Sequence, residues 1–495
     1  MLNISRKDVY SVYECLKRKS FKAYARKDFN RSIFHISLTA KLASFFNWTY
    51  CDEELEELLS KLSEIILSRP LTETRTKGKY VFYDFNARDN CTLTQQYLRA
   101  IMSWGGEILY IPENLDAQKS KDIIRELTAY PKAEIYAPDK KLTSVERIRD
   151  LYRKIIGFTP EKIFLQLEPW SAEAVVLFQA IHLPEKYYLD ITDHAFYIGN
   201  KCADYYIEFR NRGCYIATNK RNIPRNKILY QRYYPIISDY PYQGLPEEIE
   251  KSKCFILSAG NVYKVGNSRS DYFTILKKVL DRHPEAIFVY ISIGRNQVFH
   301  EFIQKNKLTK RVFCYPSRKD INEVIKRCNL YFNTYPFSGA LLCQYAAVNA
   351  KPVVAYNLKE RHSDFVETVL CDRDRFKITQ CTIDETVQEF SRLITEKEYR
   401  RKTGEKLKAH IISPEDFNRE LEQLILNHTP VGSIQEECIS DQQVFDRYLD
   451  LQNTSMLNFY ALFFRNLKLF TGMPLKMAKF TLRFGYRYTK FLLLK

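Results

Sequence analysis

The sequence predicts two doubly wound, Rossmann-like α/β domains in tandem, facing a cleft and framed by a helical prefix and a basic amphipathic tail. Three observations carry that prediction. Short β-rich runs alternate with helical patterns from Lys79 onward. The alternation is interrupted by the polar, proline-bearing stretch SDYPYQGLPEEIEKSK and then resumes. The 495 residues also exceed what one hydrophobic core ordinarily serves.

Residues 1–68 form the prefix: SVYECLKRKSFKAYARKD, SIFHISLTAKLASFF and EELEELLSKLSEIILS each place apolar residues at helical spacing. Residues 69–237 form the first domain, in which KYVFYDF, GEILYI, AEIYAP, EKIFLQL, KYYLDIT and ADYYIEF are strands between helical patterns such as LTQQYLRAIMSWG and VERIRDLYRKII. Residues 252–430 form the second, running from CFILSAG through AIFVYIS, RVFCYP and LYFNTYP to KPVVAYN. Residues 431–495 form the tail. In such sheets ligands bind beyond the carboxyl ends of the strands, so the loops that follow strands are where chemistry is sought.

Composition narrows the function classes. Hydrophobic residues at 45% and aromatics at 14% supply two cores, and only 15 glycines argue against a linker-rich chain. A formal net charge of +17 predicts an anionic partner, and nucleic acid, acidic lipid and phosphorylated substrates all qualify. Nucleic acid is the weakest of these. The basic residues form no RNA-binding motif and concentrate at the C-terminus. Twelve cysteines show no CxxC pair or metal-type spacing, and MLNISRKDVYSVYE lacks the apolar core of a signal peptide, so a cytoplasmic chain with reduced thiols is expected. No apolar run reaches about 18 residues, which leaves membrane contact peripheral, at the inner face of the cell membrane.

Two segments of the second domain suit a phosphorylated ligand. In FILSAGNVYKVGNS a strand ends in small residues: Ser258, Gly260 and Asn261 let backbone amides approach a phosphate, and Lys264 can neutralise it. A solvated loop lysine is the competing reading. In NLYFNTYPFSGALL a strand ends at Asn333, and Ser338, Gly339 and Ala340 open a helix whose free amides and positive dipole end favour an anion. An ordinary N-cap serine would look the same. Glu360, Arg361 and His362 follow the strand KPVVAYN, and Glu360 is a further donor-side candidate.

Over roughly 252–370 the chain resembles the family containing O-GlcNAc transferase and the bacterial adhesin N-glucosyltransferases, on GNVYKV, HPEAIFVYI, RVFCYP and NLYFNTYPFSGALLCQYAAVNAKPVVAY. The resemblance implies a GT-B fold and an inverting enzyme that uses a nucleotide-sugar, UDP-linked in that family; no DxD-like metal motif stands out in a donor loop, so no metal or other cofactor is expected. It places Lys264 on the diphosphate, and Asn333, Ser338 and Gly339 on diphosphate and ribose. Asn333 stands where those transferases carry an aspartate, and Ala340-Leu341-Leu342 replaces their His-Thr-Thr. Backbone amides and Lys264 must then take a larger share of the phosphate. A GT-B-fold sugar-nucleotide epimerase and a polyol-phosphate transferase are the alternative enzyme readings.

Inverting transfer needs a base for the acceptor hydroxyl. YLDITDHAFY concentrates candidates at a strand end: Asp190, Asp193 and His194, although Asp193 capping a turn over a packed His194 would also fit. A second loop, after KYVFYDF, offers Asp84, Arg88 and Thr92 on the acceptor side. Asp84-Phe85 matches an Asp-Phe of the resembled family, but the histidine that follows there is missing, so the segment 190–194 ranks first.

From Met456 onward the tail has no acidic residue and interleaves Lys and Arg with Phe, Tyr and Leu, which suits the surface of an anionic membrane. Packing of these aromatics back onto the first domain is the other outcome. Membrane attachment would favour a glycan or lipid-linked acceptor, as in bacterial surface-polysaccharide synthesis, over a protein acceptor.

Overall fold

The structure, a computed structural model, describes residues 3–238, 240–267, 269–293, 296–370, 376–437, 439–455 and 458–493. It divides into two compact units, one of Met1–Gln231 with Leu421–Gln435 and Ile439–Lys495, the other of Arg232–Glu420 with Glu436–Cys438.

The first unit opens with three helices, α1 (Arg6–Ala25), α2 (Phe29–Phe46) and α3 (Glu53–Ile66). Ser5, Asp28 and Asp52 precede them, and each side chain accepts a first-turn amide that the helix cannot satisfy itself. The β/α series follows: β1 (Lys79–Asp84), α4 (Thr94–Ser103), β2 (Glu107–Pro112), α5 (Lys121–Ala129), β3 (Ala133–Ile135), α6 (Ser144–Phe158), β4 (Lys162–Gln166), α7 (Ala172–Gln179), β5 (Glu185–Leu189), β6 (Tyr205–Glu208), α8 (Asn211–Asn219) and β7 (Ile228–Tyr230). These strands make a parallel sheet in the order β3-β2-β1-β4-β5-β6-β7. Covered on both faces, a parallel sheet needs continuous apolar runs, and Ile163-Phe164-Leu165 of β4 are all buried. The order reverses between β1 and β4, so the loops after Asp84 and Gln166 flank a switch point.

The second unit carries α9 (Glu247–Glu250), β8 (Cys254–Asn261), α10 (Asp271–Arg282), β9 (Ala286–Ile293), α11 (Gln297–Asn306), β10 (Val312–Pro316), α12 (Ile321–Arg327), β11 (Leu330–Phe332), α13 (Ala340–Val348), β12 (Val353–Tyr356), α14 (Glu367–Leu370), β13 (Thr379–Gln380), α15 (Ile383–Thr395) and α16 (Lys397–Lys408). Its parallel sheet runs β10-β9-β8-β11-β12-β13, with the switch point between β8 and β11. Helix α16 lies close against the turn before β12: a Cβ at Gly404 would sit 1.9 Å from the Ala350 carbonyl oxygen, so only glycine fits there. The chain leaves this unit within α17 (Pro414–Asn427).

Residues 439–493 return to the first unit as α18 (Asp441–Ser455), α19 (Asn458–Arg465), a 3-10 turn Leu467–Phe470 and α20 (Pro474–Leu493). Most of the tail's aromatics belong to the core. Phe459, Phe463, Phe470 and Phe480 are buried in one cluster with Phe46 of α2, with Phe459 meeting Phe46 edge-on at 5.5 Å and Phe480 at 4.9 Å. The basic residues are partly accounted for as well, since Lys476 and Lys479 both reach Asp8 of α1. Among the exposed described residues of α20 are the large apolar side chains of Leu475, Leu482 and Tyr486, which form a stripe, each at least 64% exposed.

One buried acid ties the prefix to the sheet. Glu56 of α3 is fully buried and accepts the Gly199 amide at 2.6 Å. Burial pushes its carboxyl up to about 7, against the pull of the Gly199 and Asn200 amides. A carboxyl whose folded pKa exceeds its unfolded value contributes stability that is complete below the unfolded value and is lost as pH rises through the folded one. Glu56→Gln should therefore flatten the decline in melting temperature between about pH 5 and pH 8, by the equivalent of about 3 kcal/mol. A melting profile with the wild-type slope would show that this carboxyl does not titrate in that window.

Candidate functional site

In the second unit most of the predicted donor residues, though not Ser258 or Glu360, come together at the switch point. Gly260 and Asn261 end β8, and Lys264 lies in the 3-10 turn that follows. Across from them, β11 ends at Phe332 and the loop 333–339 leads into α13. This loop is held by its own side chains. Asn333 Oδ1 accepts the amides of Thr334 (3.0 Å) and Gly339 (2.9 Å), Asn333 Nδ2 donates to Ser338 Oγ (2.7 Å), and Thr334 Oγ1 donates to Phe337 O (2.6 Å). The Tyr335–Pro336 bond within it is cis. Lys264 joins the two segments, donating from Nζ to Ser338 O at 3.2 Å and accepting the Phe337 amide on its carbonyl at 3.3 Å.

This geometry redistributes the expected roles. Asn333 spends its side chain on bracing the loop, and Gly339's amide is already taken by Asn333 Oδ1. The amides open to an anion are those of the first turn of α13, from Ala340 through Leu342, which have no acceptor within the helix. Lys264 is half-buried, no carboxylate pairs with it among the described residues, and burial lowers its pKa from the ordinary lysine value. A cation whose polar partner is a lone carbonyl is poised for an anionic ligand. Ser258 is fully buried inside β8, away from the loop. Glu360 is exposed on the 3-10 turn after β12, and the side chain of His362 lies outside the described residues. Glu367 is structural: it accepts from the Ile378 amide (2.6 Å) and Thr379 Oγ1 (2.5 Å), tying α14 to β13.

In the first unit the two carboxylate-bearing loops differ in how their acids are held. Asp84 is fully buried and accepts four bonds, from Thr94 Oγ1 (2.7 Å), Tyr110 Oη (2.8 Å), Gln166 Nε2 (2.9 Å) and the Asn86 amide (2.9 Å). Thr92 joins the same network through Gln166 Nε2 at 3.0 Å, while Arg88 is exposed. With each carboxylate oxygen accepting two bonds, Asp84 shapes the loop.

Beyond β5, Asp190 is fully buried against Arg221, whose Nη1 lies 3.0 Å from its carboxylate and whose guanidinium lies 3.9 Å over the Tyr197 ring. That burial removes Asp190 from the accessible base candidates. Asp193 is also fully buried, held by Arg210 Nε on Oδ2 and Arg210 Nη2 on Oδ1 at 2.5 Å. Burial alone would raise its pKa, but the bidentate guanidinium overrides it and holds the carboxyl well below the usual carboxylate range. The start of α8 comes down on these acids so closely that a Cβ at Gly213 would meet Glu208 Oε2 at 2.0 Å and Asp193 Oδ2 at 3.0 Å.

His194 completes the group. Its Nδ1 lies 3.1 Å from Asp193 Oδ1, and an ionised carboxylate can only accept, so Nδ1 carries the proton and Nε2 of the neutral ring keeps a free lone pair. The side chain keeps 43% of its surface. Desolvation of the ring lowers its pKa, Asp193 opposes, and the guanidiniums of Arg210 and Arg212 add to the lowering. The product is an accessible, neutral imidazole with a fixed tautomer, which is what a general base requires. Arg210 escaped sequence reasoning because an arginine at a strand end carries no spacing signal toward an acid seventeen residues earlier.

Among the described residues no group of three or more His, Cys, Asp or Glu is placed to hold a metal ion, and no helix is long and apolar enough to cross a membrane.

No protein-family model matches the chain. No curated protein matches it by sequence either. Solved structures do match. An O-GlcNAc transferase variant from Thermobaculum terrenum superposes with a TM-score of 0.53 at 12% identity, over 86% of this chain and 82% of that one. HepE of Anabaena, in complex with UDP and glucose, gives 0.53 at 13% identity, over 70% and 99%. A putative UDP-N-acetylglucosamine 2-epimerase from Listeria monocytogenes gives 0.50 at 12%, over 74% and 100%. At these identities the likeness shows the fold, which is GT-B: two Rossmann-like units, each with its own parallel sheet and switch point.

Proposed function

We propose that this chain is an inverting glycosyltransferase that moves a sugar from a nucleotide-sugar, UDP-linked in the first instance, to a hydroxyl of a glycan or lipid-linked glycan. The observation that carries this reading is the convergence of Lys264, paired with no carboxylate among the described residues, with the open first turn of α13 at the second unit's switch point. In the reaction the acceptor oxygen bonds to the anomeric carbon as the bond from that carbon to the diphosphate oxygen breaks. The acceptor proton passes to His194 Nε2, and the electron pair leaves with the nucleoside diphosphate. Lys264 and the α13 amides stabilise that leaving charge, so the mechanism calls for no metal or other cofactor. HepE's complex with UDP and glucose supports a UDP-linked donor.

Thermal denaturation with UDP, GDP, CDP and dTDP tests the donor half. UDP should raise the melting temperature most, by the equivalent of about 2.7 kcal/mol at a hundredfold excess over its Kd. No shift with any of the four would overturn the assignment. The Listeria likeness favours one competing reading, an epimerase, which needs no acceptor. Release of UDP that depends on added glycan supports transfer; equal release without it supports the alternative.

The same proposal places the enzyme on an anionic membrane at the cytoplasmic side, as bacterial surface-polysaccharide synthesis would need, through the Leu475–Leu482–Tyr486 stripe of α20. Because Phe459, Phe463 and Phe480 are core residues, deleting the tail would test folding rather than docking. Replacing the three stripe residues by serine leaves the core intact. Co-sedimentation with vesicles containing phosphatidylglycerol should fall at least about tenfold, since three exposed apolar side chains are worth several kcal/mol on burial. Equal recovery of variant and wild type, or no dependence on lipid charge, would return the stripe to ordinary surface.

A further inference from the structure

We infer that the helical prefix is the positioning element of the base loop, with Asn47 and Glu56 clamping the backbone at His194 and just beyond it. The inference rests on His194 as the base.

Residues 190–204 join β5 to β6 with no helix or strand of their own, so their buried backbone groups need partners from elsewhere. The Pro169 carbonyl and Tyr206 Oη supply some of them, and from His194 to Gly199 three further buried side chains take part. Asn47, which ends α2 in the left-handed conformation (φ 51°, ψ 48°), donates from Nδ2 to His194 O at 2.8 Å and accepts the Phe196 amide on Oδ1 at 2.7 Å. Its one amide group thus straddles residue 195 as a neighbouring strand would. Arg221 Nη2 donates to Ala195 O at 2.6 Å, and Glu56 Oε1 accepts the Gly199 amide at 2.6 Å. Asn47, Glu56 and Arg221 are each at most 1% exposed.

The consequence is a rigid main chain beneath an accessible ring. Arg210 and Asp193 fix the imidazole's tautomer from one side, and the prefix fixes the Cα from which the ring projects. Preorganisation of this kind matters because a displacement of about 1 Å at a reacting group can cost about a hundredfold in rate. Asn47 and Glu56 do not touch the reacting atoms and act through His194, which makes them positioning residues.

The test uses the full chain with Asn47→Gly and Asn47→Asp. Glycine keeps the left-handed backbone and removes both bonds; aspartate keeps the acceptor for Phe196 and sets a second oxygen against the His194 carbonyl in place of the donor. Turnover should fall at least about tenfold in both variants, with donor KM unchanged. Without substrate, the His194 ring signal in NMR, identified by its loss in His194→Gln, should titrate at higher pH in Asn47→Gly than in wild type as the ring gains water. Wild-type turnover and titration in a folded Asn47→Gly would overturn the clamp. If His194→Gln retains turnover while the ring titration still moves in Asn47→Gly, the clamp stands and the base assignment fails. Should the glycine variant not fold, the same two readings on Asn47→Asp decide the matter.

Discussion

His194→Ala should lower turnover by about 10²- to 10⁴-fold while leaving donor affinity unchanged, the pattern of a group that acts only as the acceptor proton moves. The expectation follows from geometry before titration: Nδ1 is committed to Asp193, so Nε2 is the nitrogen left to accept a proton, and the side chain keeps 43% of its surface. Its lowered pKa then sets the sign of the pH dependence. The base works as the neutral imidazole, so turnover should be flat at and above neutral pH and fall as the medium acidifies through a value below the ordinary 6.5. Asp193→Asn should remove that profile's dependence on an anionic partner and also cost turnover, because it frees the tautomer and strips Arg210 of its counter-charge. If His194→Ala retains full turnover, or the acid limb persists in it unchanged, the base lies elsewhere.

The two sheets were legible because the strongest sequence signals are local. Runs such as KYVFYDF and CFILSAG announce buried parallel strands, and the break at SDYPYQGLPEEIEKSK separates two series. The residues at strand ends were legible for the same reason, since fold topology alone brings Lys264 and α13 together at a switch point. What the sequence could not show is which partner each buried face or polar group finds. Helical spacing in the prefix and tail says that one face is covered; it does not say that Phe46 and Phe459 cover each other across more than four hundred residues. Asp190 and Asp193 look equivalent in YLDITDH, and only Arg221 and Arg210, arriving from separate elements, make one structural and the other a partner for His194. Asn47 reads as a helix terminator, which it is, but its amide is spent 147 residues away.

Asn333 shows the same limit on the donor side and sets up the sharpest test there. By resemblance it was a ligand contact; in the structure its side chain braces the loop, which leaves Lys264 as the charged group at that turn with no carboxylate of its own among the described residues. Lys264→Ala should therefore weaken UDP binding by about 1.5–3 kcal/mol, roughly ten- to a hundredfold, the usual worth of a charge-assisted bond. Affinity for uridine, which has no phosphate, should not change. Stability should hold or rise, because the wild-type fold carries a partly buried cation whose burial is compensated, among the described residues, by the Ser338 carbonyl. Lys264→Met, which keeps the aliphatic stem, separates charge from packing: it should bind UDP as weakly as the alanine variant and melt no lower than wild type. A methionine variant that binds UDP like wild type would assign the stem, not the charge, as the contribution of this residue, and would move the anion site away from this turn.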